Sequence, residues 1–143
     1  MIHIYTDGSA SPNPGKGTGA FIVIENDQEL FRSSFTVQKS TNNRMEMWAV
    51  FNALQFCIDN TLANVIIYTD SQYVQKGITK WIIAWKAKNY LRNGQPIPNM
   101  DLWKALDELY SFTESIKIEW VKGHADNKWN NAVDQLCTEQ YKK

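Results

Sequence analysis

Two aspartates end the same short apolar sequence at two distant places in the chain. Residues 4–7 and residues 67–70 both read Ile-Tyr-Thr-Asp, so that Asp7 and Asp70 each close an apolar run. Such runs are typical of buried strands in a parallel or mixed sheet. If the two strands are neighbours in register, the carboxylates stand about 5 Å apart, which is one strand spacing. Carboxylates at that distance repel unless a proton or cation lies between them, so the pair predicts a metal site at the carboxyl end of a sheet.

Two further acids can join this pair. Glu46 falls in the first turn or so of a predicted long helix, and Asp134 falls near the start of the last predicted helix. Four carboxylates are hard oxygen ligands, which suit Mg²⁺ or Mn²⁺ rather than Zn²⁺. Two such ions about 4 Å apart can hold both oxygens of an in-line phosphoryl displacement. Each acid alone is more simply a turn cap or a solvated helix residue, so the prediction depends on the whole set.

The elements that must position these acids follow from turn residues and from the period of the apolar residues. The predicted strands are 1–7, 19–25, 29–38, 65–70 and 116–121, and the predicted helices are 42–58, 71–76, 79–88, 101–112 and 129–141. Gly77 is expected to interrupt the helices, and residues 89–99 are expected to form a loop. The order predicts an α/β fold with a mixed five-stranded sheet, in which three antiparallel strands lead and two further parallel strands follow, flanked by helices. No linker divides the chain, so residues 1–143 are predicted to form a single domain.

Composition limits the partners. Fifteen basic and fifteen acidic side chains give a formal net charge of zero, so only a local patch or a metal can hold a polyanion. The two cysteines, Cys57 and Cys137, lie in apolar helical contexts and are expected to be free, buried thiols. No stretch approaches the roughly 20 apolar residues of a membrane span, and no secretory signal opens the chain. We therefore expect a cytoplasmic protein without a membrane partner, and a monomer because no exposed apolar stripe is evident.

One segment is locally basic. Residues 71–100 contain no acid, while lysine, arginine and aromatic side chains alternate there. The cations are Lys76, Lys80, Lys86, Lys88 and Arg92, and the aromatic residues among them are Trp81, Trp85 and Tyr90. Such a patch suits contact with phosphates, even if the tryptophans themselves pack as core.

The chain resembles the ribonuclease H family of the bacterial type-I kind, a single domain with a basic protrusion. The matching motifs span the chain nearly end to end, in the family's order. They are Tyr5-Thr6-Asp7-Gly8-Ser9, Asn13-Pro14-Gly15, Thr41-Asn42-Asn43-Arg44-Met45-Glu46, Tyr68-Thr69-Asp70-Ser71-Gln72-Tyr73, Asp101-Leu102-Trp103, Trp120-Val121-Lys122-Gly123-His124-Ala125, and Asn130 with Asp134.

The resemblance implies an endonuclease that hydrolyses the RNA strand of RNA–DNA hybrids and leaves 5′-phosphate and 3′-hydroxyl ends. It implies a two-metal-ion mechanism with Mg²⁺, or Mn²⁺ in its place, with two ions during catalysis and one per subunit without substrate. The implied metal ligands and catalytic acids are Asp7, Glu46, Asp70 and Asp134. His124 would be the mobile histidine that moves a proton or helps the product leave.

The resemblance also implies how the hybrid is held. Amide side chains that sense 2′-hydroxyls in the minor groove would be Asn13, Asn43 and Gln72. Thr41 and Asn42 would hold a phosphate of the DNA strand. Further substrate contacts would come from Asn130 and, in the basic protrusion, from Lys80, Trp81, Lys86 and Lys88.

Two departures and three alternatives accompany this interpretation. After His124 the chain has an additional Asp126, and it lacks the glycine-containing loop and the Glu of many relatives. The alternatives are a ribonuclease H domain of a reverse transcriptase or a DNA nuclease, a hybrid-binding module without catalysis, and a metal-dependent phosphatase. The amide set favours sensing of 2′-hydroxyls over cleavage of DNA, and a non-catalytic module would need one of the four acids replaced, which none is. No phosphate-binding lysine motif or Asp-x-Asp nucleophile supports the phosphatase.

Overall fold

Three long strands open the chain, and helices alternate with two further sheet strands after them. The computed structural model describes residues 1–113, 115–123 and 126–142. Its elements are β1 (Ile2–Ser11), β2 (Gly15–Glu25), β3 (Gln28–Ser40), α1 (Asn42–Asp59), β4 (Val65–Thr69), α2 (Gln72–Lys76), a π-helical turn (Gly77–Trp81), α3 (Ile82–Ala87), β5 (Leu91–Arg92), β6 (Gln95–Pro96), α4 (Met100–Ser111), β7 (Ile116–Trp120), α5 (Lys128–Glu139) and a 3₁₀ turn (Gln140–Lys142).

The main sheet has five strands in the order β3-β2-β1-β4-β7. The first three strands are antiparallel neighbours, and the β2–β3 turn at Asn26 and Asp27 has the positive φ angles, 52° and 57°, of a tight hairpin. Strand β4 lies parallel to β1 and to β7. The predicted mixed α/β sheet is therefore confirmed.

The two copies of the repeated tetrapeptide are neighbours in register, as the sequence predicted. Ile4 pairs with Ile67, and Tyr5 pairs with Tyr68. Strand β1 nevertheless does not end at Asp7, as we had expected, but continues to Ser11. It does so because its antiparallel ladder with β2 extends beyond the point where its ladder with β4 stops. Asp7 consequently lies inside strand β1. At this position β1 is paired with β2 on one side only, because its ladder with β4 ends at Tyr5.

The predicted break at Gly77 is also wrong. Helix α2 continues through the π-helical turn into α3, and Gly77 keeps right-handed helical angles of −59° and −50°. A Cβ on this residue would lie 2.8 Å from Cζ2 of Trp103 and closer still to two other carbons of the indole. The glycine is therefore needed for close packing with α4, and it does not end the helix.

Other boundaries differ less. Residues 89–99, predicted as a loop, contain the short hairpin of β5 and β6. Helix α5 begins at Lys128, so Asp134 lies near its middle rather than near its start. Thr41 caps α1, because its Oγ1 accepts a hydrogen bond from the Arg44 N–H at 3.2 Å.

Helices cover the sheet on both faces. One core lies between the sheet, α1 and α4, and its largest fully buried side chain is that of Trp103. A smaller core, which includes Ile22 and Val133, lies between the sheet and α5. Cys57 and Cys137 are buried free thiols, as predicted. None of the described helices is long and apolar enough to span a bilayer.

Candidate metal-binding active site

Three of the four predicted acids meet at one edge of the sheet. Asp7 comes from β1, Glu46 from the second turn of α1, and Asp70 from the residue directly after β4. One carboxylate oxygen from each lies within 4.8 Å of those from the other two. Asp7 and Glu46 are each only 7% exposed, whereas Asp70 is half-buried. The arrangement can hold a divalent cation through oxygen ligands, which is the donor set that Mg²⁺ and Mn²⁺ prefer.

Gly8 explains how a helix residue reaches a strand residue here. A Cβ on Gly8 would lie 2.6 Å from the backbone nitrogen of Glu46 and would overlap the carbonyl group of Met45. Only glycine therefore lets the first turns of α1 pack directly on β1. The sequence analysis did not predict this packing role for Gly8. The signal that could have indicated it was a glycine directly after the aspartate at the end of a predicted strand.

Side-chain contacts fix the start of α1 against the β1–β2 hairpin. Oδ1 of Asn42 accepts a hydrogen bond from the Ala10 N–H at 2.7 Å, and Oδ1 of Asn13 accepts one from the Asn42 N–H at 3.1 Å. Together with the Thr41 cap, these contacts place the helix, and hence Glu46, relative to Asp7. Thr41, Asn42 and Asn13, which were predicted to bind substrate, are thus neighbours in space at the N-terminus of α1.

Burial of Asp7 and Glu46 disfavours ionisation of their carboxyl groups in the absence of a cation. Burial raises the pKa of Asp7 to about 8; the charge of Asp70 and a hydrogen bond with Asp134 add to the increase, while a hydrogen bond with Glu46 opposes it. Burial, followed by a hydrogen bond with Asp70 and the charge of Asp7, also raises the pKa of Glu46 well above its usual value. The site therefore holds protons that a bound cation would displace.

One polar atom in the site has no partner. Oε1 of Glu46 is buried and accepts no hydrogen bond from any described residue. An unpaired buried carboxylate oxygen is costly unless a ligand satisfies it. In contrast, Oδ1 of Asp7 accepts a hydrogen bond from the Gly8 N–H at 2.9 Å. The free oxygen of Glu46 is therefore suited to bind a metal ion.

Asp134, Trp120 and Gly123 lie beside this group. The carboxyl of Asp134 is within hydrogen-bonding reach of Asp7, although it falls outside the 4.8 Å cluster. The Trp120 indole N–H donates to the backbone oxygen of Asp70 at 3.0 Å. A Cβ on Gly123 would lie 3.2 Å from Oδ2 of Asp70, so the chain passes close to the site just before His124. His124 itself lies outside the described residues.

The remaining amide residues predicted to bind substrate differ in accessibility. Asn43 and Gln72 are exposed, and Oε1 of Gln72 accepts a hydrogen bond from the Lys76 ammonium at 3.3 Å. Asn130 is only 4% exposed, on α5. Its side chain is buried in the protein rather than presented on the surface, which the sequence pattern did not indicate.

The basic segment contains all four of the contacts predicted for the protrusion, and three of its aromatic residues form a cluster with Trp103 of α4. Tyr73, Trp81, Trp85 and Trp103 form a closed ring of contacts with centroid distances of 5.2 to 6.1 Å. They line an open cavity of about 440 Å³ in which Trp81 remains 38% exposed. The expected core packing of the two tryptophans holds for Trp85, which is partly buried against the core, but not for Trp81.

The lysines of this segment are not equivalent. The ammonium of Lys86 lies 3.0 Å from Oδ2 of Asp107 on α4, so its charge is already paired. Lys80 and Lys88 are exposed and make no ion pair with any described residue. The basic patch predicted from the sequence is therefore partly neutralised from outside its own segment.

The fold and the site together define the ribonuclease H-like class of α/β proteins. The family model described as RNase H matches residues 1–142. The chain is 42% identical to the Ribonuclease H of Treponema denticola, with 99% of this chain and 98% of that relative covered. It is 44% identical to the Ribonuclease H of Methylobacillus flagellatus, with 96% and 89% covered. The solution structure of the PFV RNase H domain has a TM-score of 0.82 and 25% identity, with 96% of this chain and 92% of that chain covered.

These similarities extend over nearly the whole chain. The chain therefore belongs to the ribonuclease H family, as the motifs predicted. The function of this family is hydrolysis of RNA in RNA–DNA hybrids, and its enzymes depend on metal ions.

Proposed function

We propose that this chain cleaves the RNA strand of RNA–DNA hybrids by a two-metal-ion mechanism, as a single catalytic domain acting as a monomer. Asp7, Glu46, Asp70 and Asp134 hold the ions, which are Mg²⁺ or, in its place, Mn²⁺. The observation that carries the proposal is the convergence of three carboxylates within 4.8 Å around a buried Glu46 oxygen without a partner. A site made only of carboxylate oxygens fits these cations and not Zn²⁺.

The residues of the chain prepare the site in three ways. The Gly8 N–H orients the Asp7 carboxylate, and the Trp120 indole holds the backbone at Asp70. Burial of Asp7 and Glu46 limits water around the reacting phosphate and strengthens electrostatic interactions there. Divalent ions bound there would supply an activated water and a counter-charge for the leaving oxygen, which gives 5′-phosphate and 3′-hydroxyl ends. His124 is the proposed group that moves a proton or assists product release.

The hybrid is held by neutral and by charged side chains. Asn13, Asn43 and Gln72 are exposed, and their amides can hydrogen-bond to 2′-hydroxyls in the minor groove. Thr41 and Asn42, at the N-terminus of an 18-residue helix, suit a phosphate of the DNA strand.

Further proposed contacts come from the basic segment and from α5. The exposed Lys80, Trp81 and Lys88 add contacts along the DNA strand, and Lys86 adds less because Asp107 already pairs with it. Asn130 on α5 is the remaining proposed substrate contact, although only 4% of its surface is exposed.

A cleavage assay with three duplexes of one sequence tests the proposal. We expect cleavage of the RNA–DNA hybrid alone with Mg²⁺ or Mn²⁺, and no cleavage of duplex RNA, of duplex DNA or of any substrate in EDTA. Asp7→Asn and Asp70→Asn should each lower kcat by more than about 100-fold, because even indirect supports of a metal site cost 10- to 100-fold.

The matched control is Asp59→Asn, which removes an exposed acid at the opposite end of α1 from Glu46 and should leave cleavage unchanged. Cleavage of duplex DNA at a similar rate, or activity that persists in EDTA, would contradict the proposal. Binding of the hybrid without cleavage would support a non-catalytic module instead.

A further inference from the structure

Helix α5 and the turn after it present a regular row of polar side chains. Asp134, Cys137 and Tyr141 are spaced i, i+3 and i+7, which places them along one side of a helix. The 3₁₀ turn at Gln140–Lys142 follows α5 directly and carries Tyr141. The spacing was visible in the sequence, but the surface that it faces was not.

The strands under α5 carry a matching row. Asp7 and Ser9 are two residues apart on β1 and therefore point to the same face of the sheet. On β2, Thr18 is the direct partner of Ser9, and Ala20 is the direct partner of Asp7. Ala20 packs in the core beneath α5, which identifies the face that this row occupies.

The two rows meet in three successive contacts. Asp134 is within hydrogen-bonding reach of Asp7, Sγ of Cys137 lies 2.9 Å from Oγ1 of Thr18, and Oη of Tyr141 lies 2.8 Å from Oγ of Ser9. The helix is thus aligned over the strands with the metal site at one end of the row and the Tyr141–Ser9 contact at the other.

These contacts differ in what they contribute. The Asp7–Asp134 contact joins two of the proposed metal ligands, so it is part of the site that has to be positioned. A thiol is a weak hydrogen-bond donor and acceptor, so the Cys137–Thr18 contact adds little. The Tyr141–Ser9 contact has the ideal length of a hydroxyl–hydroxyl hydrogen bond. Of the three contacts, it alone joins the end of α5 to β1 through two hydroxyl groups that are not proposed metal ligands.

We propose that the hydrogen bond between Tyr141 and Ser9 positions Asp134 beside Asp7 and so prepares the site for divalent ions. Tyr141 and Ser9 are then positioning residues, and neither contacts the substrate or the reacting phosphate. The inference rests on the proposed function, because it assumes that Asp134 is a metal ligand.

The test measures metal binding to the substrate-free full chain as well as cleavage. We expect Tyr141→Phe and Ser9→Ala each to raise the Mn²⁺ dissociation constant, measured by titration calorimetry, about three- to tenfold, which corresponds to the loss of one hydrogen bond. The double variant should bind no more weakly than either single variant, because both remove the same contact. The KM for hybrid should stay unchanged, while kcat should fall at low Mg²⁺ and recover at saturating Mg²⁺.

The matched control is Tyr110→Phe, which removes a tyrosine hydroxyl on α4, on the opposite side of the sheet from α5. Wild-type metal affinity in both single variants would overturn the inference, as would additive losses in the double variant. If Tyr141→Phe melts at too low a temperature for titration, Ser9→Ala decides the question, because it removes the same hydrogen bond from the strand side. A parent protein that binds Mn²⁺ but does not cleave hybrid contradicts the proposed function alone, whereas one that binds no metal contradicts both.

Discussion

The acidic site and the aromatic cluster of Tyr73, Trp81, Trp85 and Trp103 differ in how well their buried groups are paired. The site buries carboxyls whose pKa values are raised, and it leaves an oxygen of Glu46 without a partner. The aromatic cluster is packed ring against ring, and its one unpaired buried group is the neutral indole N–H of Trp103. A neutral donor costs far less than a carboxylate when it is buried without a partner. The first region could therefore be completed by a metal ion, whereas the second is nearly complete by itself.

Both regions nevertheless contain a glycine at a point where two elements pack too closely for a larger side chain. Gly8 lets the backbone of α1 pack on β1 beside the acids, and Gly77 lets the indole of Trp103 pack on the π-helical turn. The neighbour is rigid backbone in the first case and a side chain in the second. Replacing each glycine with alanine therefore separates the effect of packing on stability from the effect of site geometry on catalysis.

The largest expected difference between the regions is between Gly8→Ala and Gly77→Ala. Both should lower the free energy of unfolding by about 1–3 kcal/mol, because each overpacks a filled contact. Gly8→Ala should in addition lower kcat on the order of 100-fold, because it moves Glu46 away from Asp7, and a displacement of about 1 Å can cost that much. Gly77→Ala should leave kcat of the folded protein nearly unchanged. Urea unfolding and hybrid cleavage measure the two effects; equal losses of kcat would show that the regions are not separable in this way.

The sequence predicted those parts of this arrangement that depend on local pattern. The repeated apolar tetrapeptide gave the pairing of Ile4 with Ile67, because buried strands need uninterrupted apolar runs. The convergence of Asp7 and Asp70 follows from that strand pairing, so most of the site's framework was accessible without a structure.

The features that the sequence did not reveal depend on partners far along the chain. Gly77 has the composition of a helix break, yet it is helical because Trp103, on another helix, occupies the space that its side chain would fill. Strand β1 extends to Ser11 because β2 continues to pair with it. The charge of Lys86 is paired by Asp107, which lies outside the acid-free segment. No local window contains this information.

A second difference between the regions is the pH dependence of stability. Burial, ahead of the charge of Asp70, raises the pKa of Asp7 from 3.8 to about 8. The folded protein keeps a proton that the unfolded chain releases between these values, so the free energy of unfolding of the metal-free protein should fall as pH rises. Between about pH 5 and about pH 8 we expect a loss on the order of 1–3 kcal/mol, measured by urea unfolding in EDTA.

Two variants and one ligand check that this slope belongs to the acidic site. Asp7→Asn should flatten it, and saturating Mg²⁺ should oppose it by binding the ionised carboxylates. Asp101→Asn is the control, because a hydrogen bond from Arg44 lowers the pKa of Asp101, and this residue therefore titrates below that pH window. The pKa of Glu46 is raised as well, so part of the slope should remain in Asp7→Asn, but a slope equal to that of the original protein would contradict the assignment of a proton to Asp7.

The smallest expected effect concerns the lysines next to the aromatic cluster. Lys88→Ala should reduce the slope of log K for hybrid binding against log salt by about 1, because an exposed lysine without an ion partner releases a counterion when it contacts phosphate. Lys86→Ala should reduce it less, because Asp107 already pairs with Lys86 at 3.0 Å. In an Asp107→Asn background, however, Lys86→Ala should have the full effect of Lys88→Ala. Lys117→Ala, an exposed lysine on β7, is the control. Equal slopes for Lys86→Ala and Lys88→Ala in the original protein would show that the ion pair opens when the hybrid binds, and that this region too is completed by its ligand.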